Sequence, residues 1–192
     1  MKKYLVPILN YIEGKHKFPG LKKGDIAIQV GFDMSSKFKT SDIYKLLQRV
    51  GKNGIVIAID PDPFNIVRAP KFKNLIVVEC AAWQENCKMK LTIADRASHN
   101  VLQKLNPKIK GKQLEVECKT LDNIVSELDI NPTEIRFVNI TVNGAEMQVL
   151  SGMSSIKNAQ IRIIYRPNGK MRRVRRNFLF KTNFYEIYLR KR

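Results

Sequence analysis

A Rossmann-like α/β fold, with a mostly parallel twisted sheet covered by helices on both faces, is predicted by three features of the sequence. Short, fully apolar runs recur at strand length, stretches with helical spacing separate them, and a glycine directly follows the first run. Apolar runs without polar alternation mark strands buried on both faces, as in a parallel sheet. The 192 residues suffice for one domain with a sizeable core, and a composition 44% hydrophobic and 27% charged excludes global disorder.

The elements follow in order. Residues 25–30 form the first strand between Gly24 and Gly31. Ser41 caps a helix in which Ile43, Leu46, Leu47 and Val50 share one face, and Gly51 stops it. Residues 55–59 are the second strand, ending at Asp60-Pro61-Asp62-Pro63, and residues 75–78 are the third, ending at Glu79. Residues 88–93 and 114–117 read as strands around a polar loop containing Asn106-Pro107 and Gly111. Thr120 caps a helix with a buried stripe of Leu121, Ile124, Val125 and Leu128. A strand at 135–142, a helix at 145–153 and a strand at 160–165 come next. Residues 178–180 and 184–189 predict a closing hairpin around Lys181-Thr182-Asn183, which makes an antiparallel C-terminal edge. No internal repeat or interdomain linker interrupts the chain.

Chemistry enters at Gly31, because a glycine after the first parallel strand lets a nucleotide-like ligand approach the backbone at the strand's carboxyl end. Asp60 ends the second strand, where a carboxylate accepts hydrogen bonds from ribose hydroxyls; an Asp-Pro turn or helix cap is the alternative reading. Cys80, Cys87 and Cys118 contain no C-x-x-C and no zinc-like pairing, so they read as reduced and mostly buried. His16 and His99 stand far apart in sequence. No metal site is expected.

Charge divides the chain. There are 35 Lys+Arg against 17 Asp+Glu, a net +18. Residues 1–24 hold six lysines and one glutamate, and residues 161–192 hold eleven basic side chains against Glu186 alone, whereas the middle is nearly neutral. The expected organisation is a basic N-terminal segment (1–24), a Rossmann-like domain (25–165) and basic C-terminal strands or tail of the same domain (166–192). Two basic ends point to a polyanion. Arg172, Arg173, Arg175 and Arg176 beside Phe178, Phe180 and Phe184, with Arg190, Lys191 and Arg192 at the end, suit phosphate contacts with RNA better than with an anionic membrane surface. Pro7 and Asn10 interrupt the apolar stretch after Met1-Lys2-Lys3, which argues against a signal peptide and for a cytoplasmic protein.

Lys23-Gly24-Asp25, Asp60-Pro61-Asp62-Pro63, Thr120-Leu121-Asp122 and the block from Phe137 through Thr141-Val142-Asn143-Gly144-Ala145-Glu146 to Gly152 resemble, in order and spacing, the FkbM-type family of S-adenosylmethionine-dependent methyltransferases. The resemblance covers roughly residues 20–165. It implies a class I methyltransferase fold and a cofactor site that maps onto Gly31, Asp33, Asp60, Thr141 and Asn143. Against the family pattern, Gln29, Thr141, Asn143 and Tyr165 stand where carboxylates are usual, and Ser35 stands for a second glycine. Carboxylates offset the sulfonium and ammonium charges of the cofactor, so these departures predict weak cofactor binding. Two functions follow. One is a methyltransferase-fold protein with an eroded cofactor site that acts as a basic RNA-binding, ribosome-associated module. The alternative is an active S-adenosylmethionine-dependent methyltransferase acting on RNA or another anionic acceptor. No residue stands out as a general base.

Overall fold

A computed structural model describes residues 17–35, 37–94, 100–164 and the strand at 184–187. In chain order the elements are β1 (Ile26–Val30), α1 (Asp42–Val50), β2 (Ile55–Asp60), α2 (Pro63–Arg68), β3 (Leu75–Glu79), β4 (Ala81–Ala82), β5 (Cys87–Ile93), β6 (Val101–Leu102), β7 (Lys112–Lys119), α3 (Leu121–Glu127), β8 (Ile135–Ile140), α4 (Glu146–Ser151), β9 (Gln160–Ile163) and β10 (Phe184–Ile187). The main sheet has the order β10-β9-β8-β1-β2-β3, and every pairing in it is parallel.

Why these segments become central strands is visible in β1, whose five residues are all buried. Ile26, Ile28 and Val30 face one side with Ile57 and Ile59 of β2, Val138 and Ile140 of β8 and the helical residues Leu121, Ile124, Val125 and Val149. Ala27, Val56, Ala58 and Phe137 face the other side, where Ile43, Leu46 and Val50 of α1 close the layer. Each fully buried aliphatic or aromatic side chain contributes about 1.5–3 kcal/mol, so both layers hold the sheet. The described end of the basic N-terminal segment joins this second layer through Phe18 and Leu21. Helix α1 starts where expected, with Ser41 Oγ accepting from Tyr44 N at 3.2 Å, and stops at Gly51, whose φ of 67° suits glycine.

The strands expected at 88–93 and 114–117 form, but in a sheet of their own. As β5 and β7 they pair antiparallel, and with β4 and β6 they make a second, four-stranded sheet of order β4-β7-β5-β6. Their alternation of exposed and buried residues, clearest in β7, is that of a sheet packed on one face, here over Trp83, Leu91, Leu102, Val116 and Ala145. The expected antiparallel C-terminal edge is replaced: β10 runs parallel to β9, pairing Phe184 with Ile161 and Ile187 with Ile163. The stretch from Ile163 to Phe184 exceeds the dozen or so residues that a parallel crossover needs. The other arm of the expected hairpin, 178–180, lies outside the described residues. Strand β8 ends at Ile140, two residues earlier than expected, which leaves Thr141 and Val142 in the loop. No helix among the described residues is long and apolar enough to cross a membrane.

Candidate functional site

In the main sheet the chain leaves β1 toward β2 on one side and has β8 on the other, and the carboxyl ends at such a switch point diverge to form a crevice. A cavity of about 260 Å³ lies there. Gly31, Asp33, Asp60, Thr141 and Asn143, spread over more than 100 positions of sequence, all line it. The second sheet and its connections close the far side with Ala81, Ala82, Leu91, Val101, Leu102 and Leu105. The basic residues Arg172, Arg173, Arg175, Arg176, Arg190, Lys191 and Arg192 lie outside the described residues.

Asp60 is at once a cavity wall and a clamp. Its Oδ2 accepts from Phe32 N at 2.9 Å, and its Oδ1 accepts from Asp62 N at 2.9 Å and Asn65 Nδ2 at 3.1 Å. The residue is 7% exposed, and burial pushes its carboxyl up to about 6, against the pull of those hydrogen bonds. Both readings of Asp60, ligand acceptor and turn organiser, therefore meet in one side chain. Asp62 caps α2 by accepting from Phe64 N at 3.0 Å and takes a second bond from Asn100 Nδ2 at 2.7 Å. Asp33 Oδ1 accepts from Ser35 N at 2.7 Å.

Gly31 has φ 74°, and a Cβ placed on it would lie 2.8 Å from the Thr141 carbonyl oxygen. The glycine is thus required by the close approach of the loop after β8, before any ligand is considered. Thr141 Oγ1 donates to Gly31 O at 2.7 Å and accepts from Gln29 Nε2 at 2.8 Å, and Gln29 Nε2 also reaches Gly31 O at 2.6 Å. The side chains at two of the positions lacking a family carboxylate, Gln29 and Thr141, therefore hold each other and the glycine turn.

Asn65 and Asn100 were not foreseen. Asn65 bridges the two strand-end loops, donating to Phe32 O at 2.8 Å and accepting from Met34 N at 2.9 Å. Asn100 ties three segments at the cavity rim: its Nδ2 donates to Asp62, its Oδ1 accepts from Ala94 N at 3.0 Å and its backbone oxygen accepts from Asn143 Nδ2 at 2.8 Å. Neither carries a sequence signal, since a lone asparagine in a loop is ordinary turn chemistry.

The described lining contains three carboxylates, Asp33, Asp60 and Asp62, together with amides and a hydroxyl, and no lysine, arginine or histidine. Within a chain of net +18, the cavity is an acidic, partly apolar slot suited to a ligand with a cationic group, hydroxyls and a flat apolar portion. Among the described residues no group of His, Cys, Asp and Glu is arranged to hold a metal ion.

A family model described as the methyltransferase FkbM domain matches residues 33–184, well over half of the chain. Comparison with curated proteins and with solved structures gives no match.

Proposed function

The chain belongs to the FkbM methyltransferase domain family, and on that premise we propose that it is an S-adenosylmethionine-dependent methyltransferase whose cofactor occupies the cavity at the carboxyl ends of β1 and β2. The observation that carries this reading is the acidic lining, three carboxylates with no cation among the described residues, in an otherwise strongly basic protein. S-adenosylmethionine is a cationic sulfonium that supplies an electrophilic methyl group. At an effective dielectric near 20, one carboxylate about 4 Å from such a charge contributes about 4 kcal/mol before desolvation.

The chain's own residues would do the following. Asp60, with one oxygen accepting a single internal bond, holds ribose hydroxyls, and Gly31 presents bare backbone beside it. Asp33 and Asp62 offset positive charge. Ala81, Ala82, Leu91 and Leu102 give the apolar wall for a flat ring and exclude water. Asn100 links the rim to both loops. Transfer of a methyl group to a positioned acceptor draws mainly on orientation, which this framework supplies. The acceptor we propose is anionic, RNA being the first choice given the basic ends of the chain.

A second reading, a methyltransferase fold serving as a basic RNA-binding, ribosome-associated module with a weakened cofactor site, is favoured by Gln29, Thr141, Asn143 and Tyr165 standing at carboxylate positions. Calorimetric titration with S-adenosylmethionine separates the two. The first reading expects a Kd tighter than about 100 μM, equivalent to about −5.5 kcal/mol, with loss of binding when Leu102→Trp fills the cavity. Absence of heat at millimolar ligand, together with co-purification of RNA, would establish the second reading instead.

A further inference from the structure

The loop leaving β1 and the loop entering β3 carry the same tripeptide, Lys37-Phe38-Lys39 and Lys71-Phe72-Lys73. The fold brings the two copies together. The Phe38 and Phe72 ring centroids are 5.8 Å apart with planes inclined by 30°, and Tyr44, in the first turn of α1, packs edge-on to Phe38 at 5.4 Å. Phe38 is half-buried and packs on the α1 side of the core, so it is a fixed support. Phe72 stands on it, 48% exposed. The four flanking lysines are all exposed. Residues 34–41 and 68–74 contain no carboxylate.

An exposed aromatic ring held by a second ring and surrounded by cations is a surface of a particular chemistry. The ring offers a π face to a base, and the ammonium groups offer sequence-independent contacts to phosphates. A membrane surface asks for something else, a broad apolar face that enters the acyl boundary, and here one ring of the pair is half-buried against the core and the flanking side chains are lysines. We propose that this patch is a docking surface for single-stranded nucleic acid, on which Phe72 stacks a base and Lys37, Lys39, Lys71 and Lys73 contact phosphates. None of these residues lines the cavity. The patch is therefore separate from the described cavity lining.

The test uses the full chain and a fluorescent ten-nucleotide oligouridylate, titrated by anisotropy over a range of salt. Two variants separate the two kinds of contact. Phe72→Leu keeps an apolar side chain but removes the ring; it is expected to weaken binding about tenfold with the salt slope unchanged. The quadruple Lys→Gln variant at positions 37, 39, 71 and 73 changes only exposed side chains and is expected to make the slope of log K against log salt shallower by about three, since each phosphate contact on a single strand contributes about 0.7. Titration of both variants with S-adenosylmethionine should match the unmodified chain, so a failure of the cofactor reading is seen separately. Unchanged oligonucleotide binding in either variant overturns the proposal. So does an unmodified chain that ignores the oligonucleotide, whether or not it binds phosphatidylserine vesicles.

Discussion

Gln29 and Asn139 occupy the same register position of neighbouring parallel strands, and Asn139 Nδ2 donates to Gln29 Oε1 at 2.6 Å. Arg162 stands at the matching position of β9, and its Nη1 donates to Asn139 Oδ1 at 2.9 Å. Beyond it, Asp42 at the start of α1 lies 3.4 Å from Arg162 and 3.1 Å from Lys17. A polar row thus crosses three adjacent strands on the α1 side of the sheet, beside the apolar Ala27, Ala58 and Phe137. Its far end reaches Thr141 and the Gly31 carbonyl at the cavity.

Buried polar rows are costly when broken in the middle, because each remaining group loses its partner without regaining water. Asn139→Leu, close in volume, should therefore cost about 3 kcal/mol in urea unfolding. A loss below about 1 kcal/mol contradicts the assignment of this row as a structural element.

Gly31→Ala combines a left-handed backbone with a contact of 2.8 Å to a backbone oxygen. The expected cost is about 2–4 kcal/mol, measured without any ligand. If the variant is as stable as the unmodified chain and only ligand binding suffers, the glycine serves the ligand and not the loop after β8.

Asp60 gives a pH signature. Its folded value of about 6 lies above the ordinary 3.8 because of burial. Between those two values the folded chain holds this proton more tightly than the unfolded chain, so acidification from pH 7 to 4 adds stability from this group, and raising the pH above about 6 removes it. At neutral pH the ionised form is penalised by about 3 kcal/mol as an order of magnitude. Relative to Asp60→Asn, the unmodified chain should gain stability on going from pH 7 to pH 4.5. A difference that stays flat over this range refutes the shift.

Asp122 behaves in the opposite sense. Burial works against its charge, but donation from the backbone and hydroxyl groups of Ser154 and Ser155 outweighs burial and holds the carboxyl below its ordinary value. The stabilisation is present at neutral pH and is lost as pH falls through the lowered value. Asp122→Ala should cost about 1–3 kcal/mol at pH 7 and clearly less at pH 3, by urea unfolding at both. An equal cost at both would show that packing, not charge, is what the mutation removes.

Cys87 and Cys118 face each other across β5 and β7, and all three cysteines are free. Burial pushes the Cys80 and Cys118 thiols up to about 12, leaving little thiolate at pH 8. Thiol reagent at pH 8 should modify Cys87 first, with Cys80 and Cys118 reacting at the rate of unfolding. Prompt labelling of all three would contradict the burial of Cys80 and Cys118.

Apolar runs, caps and spacing were enough to read the strands of the parallel sheet, the helices at Ser41 and Thr120, and Gly31 and Asp60 at the cavity; Asp33, Thr141 and Asn143 came only with the family resemblance. The former are local signals, set by the periodicity of burial and by which residues tolerate a turn. The row of Gln29, Asn139 and Arg162 was not legible in the sequence, because it depends on strand order and register, which set Gln29 beside Asn139, 110 residues further along the chain. The separate sheet of β4 to β7, the parallel placement of β10, the Asn100 link and the meeting of Phe38 with Phe72 have the same origin. Each rests on a non-local pairing whose partner the neighbouring sequence does not specify, so only packing of the whole chain decided it.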